Sequence, residues 1–365
     1  MSSKKTILLL GKLPPPYMGP SIATELLLKS DLSVNFNLLH VDTKVNTDLK
    51  NIGKFNFDKV KKNLSIYKKL IKINRKSKPQ LALIPFSQTT IGFLKDAVYI
   101  YLCLIFNTKV LLHLRGSEFK LWMNRSNAFT KWFVKKTLNK CEGVIVLGNN
   151  LKYLFEEYLP NKKIFVCPNG GTYQLPPRKK DNERITVLYL GNLQPSKGIE
   201  DVIEAARILA SKNIQCDFKI IGGWRNDAIK NKCLKIIDDN KLPVQFYSQE
   251  ESVRKFELMA SSDIFLFPPR APEGHPWVII EAMASSLPII STNQGAIVES
   301  VIDGENGYIV KEKSPEEIAD KIAILVNNEN LRNSMGKKSR DFYEMKFTEE
   351  KMVNRLTEII HQITD

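Results

Sequence analysis

The 365-residue sequence is poor in cysteine, and its cysteines form no recognised motif. The five residues are scattered, odd in number and never spaced as Cys-x-x-Cys, so zinc and redox motifs are absent. A reducing cytoplasm is the simplest setting for such a chain. An aspartate-rich metal-binding motif is also missing, so nothing in the sequence favours a metal site.

Long hydrophobic runs are missing as well. The most apolar run, residues 97–106, is well short of the roughly 20 residues that a membrane-spanning helix needs, and we expect a buried helix there. The apolar run after the N-terminal lysines, residues 6–10, is too short for a signal peptide. These absences favour a cytoplasmic protein.

A dinucleotide-binding fingerprint is the third absence. The loop after the first predicted strand reads GKLPPPYMG, residues 11–19, and lacks the Gly-x-Gly-x-x-Gly spacing. A nicotinamide-dependent enzyme is therefore disfavoured. Gly19 either lets the backbone approach a ligand or forms a tight turn before the next helix.

Positive charge is abundant but unevenly spread. The net charge is +15, yet residues 1–180 carry 31 Lys+Arg against 10 Asp+Glu, and residues 181–365 carry 23 against 29. The basic half favours an anionic partner, either nucleic acid or anionic lipid. Nucleic acid is the weaker candidate, because no recognisable nucleic-acid module accompanies the charge.

The densest positive charge lies in Lys54–Lys78, which has nine lysines and one arginine against a single acid. Its periodicity predicts a basic amphipathic helix. The helix either packs its apolar stripe on a sheet with solvated lysines, or lies on an anionic membrane surface. The predicted stripe consists of Val60, Leu64, Tyr67 and Ile71.

Short apolar runs alternate with segments of helical period along the whole chain. Most runs are apolar at consecutive positions, which is typical of strands buried on both faces of a parallel sheet, so the pattern predicts doubly wound α/β units. A segment with two prolines and mixed charges interrupts the pattern and predicts a linker. We expect an N-terminal Rossmann-like domain at 1–172, a linker at 173–184, a C-terminal Rossmann-like domain at 185–345 and a terminal helix at 346–365. A return of that helix to the first domain is one alternative.

The segment EGHPWVIIE carries the most informative pattern. It follows a predicted strand, Ile264–Phe267, and Pro276 suits the start of a helix over Trp277–Ala284. The N–H groups at a helix start favour an anion. Glu273 lies in the loop before that anion site and Glu281 on the helix after it, so the unit suits a sugar joined through phosphate to a ribose. Alone, a pair of glutamates is more often an ordinary solvated loop and helix.

Three other loops contain candidate ligand residues. The loop GNLQPSKG, residues 191–198, places Lys197 between glycines at a helix start, which is a weak phosphate-binding signal on its own. The next strand ends in a second tight loop at Gly222. His113 ends a strand in LLHLRGSEF, where it is either a structural hydrogen-bonding residue or a ligand contact.

Together these segments resemble the second domain of GT-B glycosyltransferases, in particular retaining family 4. The resemblance is close over residues 185–312. It rests on YLGNLQPSKGIEDVIEAA, FKIIGG, DIFLFPPRAPEGHPWVIIEAMASSLPII and STNQGAIVESVIDGENGYIV. The first half matches more loosely, through LPPPYMGPS, HLRGSE and PNGG. The implied fold is two Rossmann-like parallel-sheet domains that face each other across a cleft.

The resemblance also implies roles for individual residues. Lys197 matches the lysine that holds the donor diphosphate, Glu273 the contact to the transferred sugar, and Glu281 the acid that holds the ribose. His113 resembles a first-domain histidine near the sugar. Asn192 stands where an arginine is frequent, so either one charge partner of the diphosphate is missing, or Arg270 or Arg225 replaces it. The implied catalytic residues are Glu273, His113 and Lys197, and the implied donor-binding residues are Gly19, Gly191, Asn192, Lys197, Gly222, Arg270, Gly274, His275, Pro276, Trp277 and Glu281.

The implied activity is sugar transfer with retention of configuration, without a metal or another cofactor. A nucleotide-sugar is the donor, and a saccharide or lipid-linked acceptor is expected, with a role in cell-surface polysaccharide or glycolipid synthesis. We expect a cytoplasmic enzyme at the inner face of the membrane. No residue is obvious as the base, and the leaving phosphate is an alternative. A sugar-nucleotide epimerase and a non-catalytic nucleotide-sugar or membrane-binding protein are the competing hypotheses.

Overall fold

A computed structural model describes residues 4–15, 17–45, 57–178, 184–248 and 252–365. The chain forms two compact units. The first consists of Met1–Gly171 and Glu349–Asp365, and the second of Thr172–Thr348. Residues 173–178 and 184 of the segment that we predicted as a linker are thus grouped with the second unit, where the Arg178 guanidinium lies 3.3 Å from the Asp263 carboxylate.

The first unit is built on a parallel sheet of six strands in the order β2-β1-β3-β4-β5-β6. The central strands are buried along nearly their whole length, as consecutive apolar residues require in a sheet with helices on both faces. The strands are β1 Thr6–Gly11, β2 Asn37–Asp42, β3 Leu81–Pro85, β4 Lys109–His113, β5 Gly143–Val146 and β6 Ile164–Val166.

Seven helices of the described residues accompany this sheet, and the apolar run at 97–106 lies in one of them, as expected. They are α1 Gly19–Lys29, α2 Leu32–Asn35, α3 Phe57–Ser77, α4 Thr90–Ile105, α5 Phe119–Arg125, α6 Ala128–Asn139 and, from the end of the chain, α14 Glu349–Thr364. No described helix is both long enough and apolar enough to cross a membrane.

The terminal helix α14 completes the core of the first unit. Leu356 and Ile360 are fully buried against strand residues such as Ile7 and Leu111. Hydrogen bonds also hold the helix: Lys109 Nζ donates to the Ile363 carbonyl at 2.6 Å, the Cys167 thiol to the Met352 carbonyl at 3.6 Å, and Lys5 Nζ to the Thr364 hydroxyl at 3.1 Å. The chain therefore leaves the first unit after Gly171 and returns to it at Glu349.

The second unit has a parallel six-stranded sheet in the order β12-β11-β10-β7-β8-β9. The strands are β7 Ile185–Leu190, β8 Cys216–Ile221, β9 Val244–Tyr247, β10 Ile264–Phe267, β11 Ile289–Thr292 and β12 Gly307–Val310. The helices are α7 Ile199–Ser211, α8 Asp227–Asn240, α9 Ser252–Ala260, α10 Trp277–Ala284, α11 Ile297–Ser300, α12 Pro315–Asn327 and α13 Glu329–Lys346. Two parallel sheets with interleaved helices confirm the predicted α/β architecture.

The basic helix α3 is present, but the predicted stripe only partly coincides with its buried face, since Tyr67 and Ile71 are half-buried. Leu64 is 52% exposed, whereas Ile66 and Leu70 are buried, and the Val60 side chain lies outside the described residues. The buried face continues through Asn74, whose amide oxygen accepts a hydrogen bond from Thr108 at 2.7 Å. The sequence contains two overlapping apolar stripes on this helix. The buried stripe includes the polar residue Asn74, so its apolar pattern is shorter than that of the predicted stripe.

The packing of α14 predicts that Leu356→Ala destabilises the first unit by about 2–5 kcal/mol, because it leaves a cavity in a core that cannot fully close. Hydrogen exchange should show faster exchange in β1, β3 and β4. The control is Asn354→Ala on the exposed face of α14, which should leave those rates unchanged. Equal protection in both variants would mean that α14 does not support this core.

Candidate active site

The loop after β7 is shaped by a buried tyrosine and a glycine. Tyr189 is fully buried. Its hydroxyl lies 3.3 Å from the Asn192 carbonyl and 3.2 Å from the Lys197 carbonyl, and it can donate a hydrogen bond to either oxygen. Burial raises the pKa of Tyr189, so the hydroxyl keeps its proton. Gly198 then adopts a φ of 77°, a left-handed conformation that favours glycine, before α7 begins.

The loops after β7 and β10 meet at this glycine. A Cβ on Gly198 would lie 2.0 Å from the Pro268 carbonyl oxygen, so no other side chain fits. The Arg270 N–H donates to the Ser196 carbonyl at 3.0 Å. Because β7 and β10 are neighbours in the sheet, these contacts bring Lys197 to the EGHPW loop.

Lys197 and Glu273 form an ion pair in the second unit. Their side chains are 24% and 13% exposed, so water screens the pair only partly. The Lys197 ammonium also lies 5.9 Å from the centre of the Phe267 ring. Two residues predicted to contact the donor are thus together, one cation and one carboxylate.

The EGHPW loop is held from behind by the loop after β11. Gly295 has a φ of 54°, and a Cβ there would lie 1.8 Å from the Glu273 carbonyl oxygen. The Ala296 N–H donates to the Gly274 carbonyl at 2.7 Å. The structure therefore fixes the backbone on both sides of Glu273, and Gly295 is a shaping residue that the sequence analysis missed.

The His275 side chain is turned into the protein. It is 3% exposed, its Nε2 lies 2.7 Å from the Ser300 hydroxyl, and its ring is 5.1 Å from that of Phe347. Only the backbone of His275 therefore remains as a candidate contact to the nucleotide-sugar. Pro276 caps α10 and Trp277 opens it, so the predicted helix has the bounds that the sequence indicated.

Glu281 lies on α10 and is 7% exposed. Its Oε1 accepts a hydrogen bond from Lys255 Nζ at 2.7 Å, while its Oε2 is buried without a hydrogen-bond partner among the described residues. Lys255 comes from α9 and was missed, because nothing in the spacing of α9 and α10 relates these two positions.

The two arginines proposed to replace the one absent at Asn192 differ in their surroundings. Arg225 Nη2 donates to the Asn192 side-chain oxygen at 2.9 Å, and Gly222 lets its strand end approach the Gly191 carbonyl. Arg270 is instead bound by Asp201 and Glu200, its Nη1 lying 3.1 Å from Glu200. These carboxylates already neutralise Arg270, so Arg225 is the better placed cation.

His113 and Gly19 belong to the first unit. Gly19 is the first residue of α1, and His113 is the last residue of β4. The His113 side chain is 4% exposed, and neither ring nitrogen has a hydrogen-bond partner in the described part of the chain. Burial and the Arg115 guanidinium hold its pKa well below the usual range, so the ring is neutral at pH 7.

Two further polar atoms near the end of β4 are buried and, within the described ranges, lack a hydrogen-bond partner: Gln88 Oε1 and Ser117 Oγ. Gln88 follows β3, which pairs with β4 so that Pro85 lies opposite His113. A Cβ on Gly116 would lie 2.5 Å from the Gln88 amide nitrogen. These side chains were not recognised in the sequence, since the register of two strands brings them together. In the described residues, no group of three or more His, Cys, Asp or Glu side chains could hold a metal ion.

The low pKa of His113 predicts a loss of stability in acid. The unfolded chain binds a proton on this histidine near pH 6.5, whereas the folded chain does not. Stability from this group is complete above that pH and falls by up to about 1.4 kcal/mol per pH unit below it. Urea unfolding of wild type and His113→Gln from pH 7 to pH 5 should give a shallower slope for the variant. Identical slopes would show that folding does not disfavour protonation of His113.

The second unit matches a known family, and the whole chain has relatives. The family described as glycosyl transferases group 1 matches residues 174–342. An uncharacterised glycosyltransferase of Methanocaldococcus jannaschii is 27% identical over 354 residues, 96% of each chain. The capsular polysaccharide biosynthesis glycosyltransferase CapM of Staphylococcus aureus is 29% identical over 177 residues, 46% of this chain and 43% of that one.

Solved structures share the fold at low sequence identity. Sucrose-phosphate synthase from Thermosynechococcus elongatus superposes with a TM-score of 0.77 at 16% identity, over 99% of both chains. Anabaena HepE in complex with UDP-glucose gives a TM-score of 0.71 at 16% identity, over 98% of this chain and 99% of that one. Residues 174–342 therefore match the group 1 glycosyltransferase family, the whole chain is similar in sequence to a glycosyltransferase, and its fold is GT-B.

Proposed function

We propose that this glycosyltransferase is a retaining, metal-independent enzyme of the family 4 type. It moves a hexose-type sugar from a nucleotide-sugar to a saccharide or lipid-linked acceptor, in the synthesis of a cell-surface polysaccharide or glycolipid. The observation that carries the proposal is the arrangement of Lys197, Glu273 and Glu281 around one loop and helix. The activity of CapM in capsular polysaccharide synthesis supports the proposed pathway class.

A uridine diphosphate sugar is the first donor to test, because HepE was solved with UDP-glucose. In the proposed complex Lys197 leaves Glu273 and binds the diphosphate, and Glu273 then accepts hydrogen bonds from sugar hydroxyls. Arg225 is the second cation, held by Asn192 at the neighbouring strand end. Negative charge grows on the diphosphate as its bond to the sugar breaks, and fixed cations stabilise this charge most in the transition state.

The proton balance follows from the state of His113. The acceptor hydroxyl oxygen bonds to the anomeric carbon while the bond from that carbon to the phosphate oxygen breaks. The hydroxyl proton needs a recipient, and a histidine whose pKa is held low is a poor one. The departing phosphate oxygen is therefore the proposed recipient of the proton.

The competing hypotheses are separated by product analysis. Labelled UDP-, GDP- and ADP-sugars should give transfer or slow hydrolysis if the proposal holds. An epimerase would give an isomerised sugar-nucleotide, and a binding protein would return the donor unchanged. The same donors in a thermal-shift screen identify the base, since a ligand that binds the folded state raises the melting temperature.

The basic helix α3 supports a membrane-associated acceptor. Lys61, Lys62, Lys68 and Lys69 are exposed, and Leu64 is exposed among them. An open groove along this helix is lined by Lys68, Ile71, Lys72, Arg75 and Lys76, and its positive charge suits an anionic headgroup. Each cation near an anionic bilayer contributes about 1 kcal/mol. The enzyme is therefore proposed to bind the inner face of the membrane from the cytoplasm.

Lys197 gives the first prediction about catalysis. Lys197→Met should lower kcat/KM by about 10²–10³, which is the effect of removing one group that stabilises transition-state charge. Release of nucleoside diphosphate measures the rate. The control is Lys212→Met, which removes an exposed lysine paired at 2.8 Å with Asp320 in the same unit. Turnover of Lys197→Met within twofold of wild type would assign the diphosphate to another cation.

Helix α3 gives the prediction about membranes. Liposome co-sedimentation should show wild type binding to anionic vesicles at low salt and release as salt screens the charges. Changing Lys61, Lys62, Lys68 and Lys69 to Glu should abolish binding without loss of donor affinity. The control reverses the same number of exposed lysines on the second unit, namely Lys212, Lys235, Lys337 and Lys338. Equal loss in both variants would show that net charge, not α3, drives binding.

A further inference from the structure

The two carboxylate oxygens of Glu281 differ in their hydrogen bonds to the described residues. Lys255 contacts Oε1 at 2.7 Å, and the side chains of Lys255 and Glu281 are 20% and 9% exposed. Oε2 is shielded from solvent and has no hydrogen-bond partner among the described residues. Buried polar atoms are nearly always hydrogen-bonded, and a carboxylate oxygen has no proton of its own to donate. Oε2 therefore marks the place of a hydrogen-bond donor that the described residues do not supply.

The position of Lys255 is fixed by contacts between α9 and α10 on two successive turns. Met259 follows Lys255 by one turn of α9, and Ser285 follows Glu281 by one turn along α10. The Ser285 hydroxyl contacts the Met259 sulfur at 3.6 Å, so the two helices touch at both levels. Met259 is fully buried, which anchors α9 independently of the ion pair.

A purely structural role does not explain the Lys255–Glu281 pair well. Replacing a buried ion pair with apolar residues is often neutral or stabilising, because two charges must be desolvated to form the pair. The adjacent Ser285–Met259 contact shows that α9 and α10 already meet without charges. An ion pair at this position is better explained by a need to keep Glu281 charged and correctly oriented for a ligand.

We propose that Lys255 is a positioning residue that orients Glu281 for the ribose of the nucleotide, an inference that rests on the proposed donor function. Lys255 occupies Oε1 and turns Oε2 toward a ribose hydroxyl, since a carboxylate in an α/β nucleotide site accepts hydrogen bonds from this diol. Lys255 thereby sets the preference of the enzyme for ribonucleotides over deoxyribonucleotides, although it does not itself touch the nucleotide.

The test compares affinities for matched nucleotides. Isothermal titration measures Kd for UDP, GDP and ADP, and then for the 2′-deoxy and 3′-deoxy forms of the one that binds. Wild type should prefer the ribonucleotide over at least one deoxy form by about tenfold or more, the effect of one hydrogen bond to a charged group. Lys255→Met should bind the ribonucleotide about tenfold more weakly and the deoxy form nearly as well as wild type.

Two variants separate positioning from folding. Lys255→Arg keeps a cation at this place and should restore most of the preference, whereas the surface control Lys212→Met should retain all of it. The ratio of two affinities is measured on folded molecules only, so partial unfolding of Lys255→Met does not change it. The double variant Lys255→Met/Glu281→Gln leaves no unpaired buried charge and should show the same lost preference.

Each outcome decides between the two proposals. A preference that survives in Lys255→Met would overturn the role of Lys255 and leave the donor function intact. A wild type that binds nucleotide without preferring the ribose form would remove Glu281 as the ribose contact, and Lys255 with it. A wild type that binds none of the three nucleotides would overturn the proposed donor function itself.

Discussion

The active-site half of the second unit depends on one backbone contact, the approach of Gly198 to the Pro268 carbonyl. Only glycine combines this φ with this distance, and the contact joins the ends of two neighbouring strands. Lys197 directly precedes the contact, and Glu273 lies in the loop that begins at Pro268. The pairing of their side chains is thus a consequence of a fixed backbone, which is the kind of preorganisation that charge stabilisation requires.

Glu273, Glu281 and Asp201 each have a cationic partner within the second unit. Lys197 faces Glu273, Lys255 faces Glu281, and Arg270 faces Asp201. In a partly buried site an unpaired charge is costly, and these ion pairs leave none of the three carboxylates without a cation. In the donor complex proposed above, an anionic diphosphate binds by exchange, because Lys197 turns from Glu273 to the phosphate and Glu273 then accepts hydrogen bonds from sugar hydroxyls. That proposal couples phosphate binding to sugar binding through Lys197.

Much of the second unit was predictable because its information is local. The strands are consecutive apolar residues, and EGHPWVIIE contains a loop, a helix start and both carboxylates within one segment. The partners of those residues were not predictable, since they are far apart in sequence. Lys255 contacts Glu281 from another helix. The sequence left Arg270 as a candidate cation for the diphosphate, whereas the structure pairs it with Asp201 and Glu200. On α3, periodicity allowed two stripes, and contact with the rest of the first unit selected the one containing Asn74.

The candidate site residues of the first unit were harder to predict for the same reason, since residues that lie close together in the structure are far apart in the sequence. The buried polar atoms on Gln88, His113 and Ser117 lie at or just after the ends of two strands, β3 and β4, whose proximity is set by register and not by a motif. A glycine at 116 gives the Gln88 amide room to approach, which a sequence pattern does not reveal. Polar atoms that the surrounding protein leaves without hydrogen bonds must find them in water or in a ligand. No one motif contains all three side chains, because the segments that carry them meet only when β3 and β4 pair, whereas EGHPWVIIE carries both of its carboxylates within one segment.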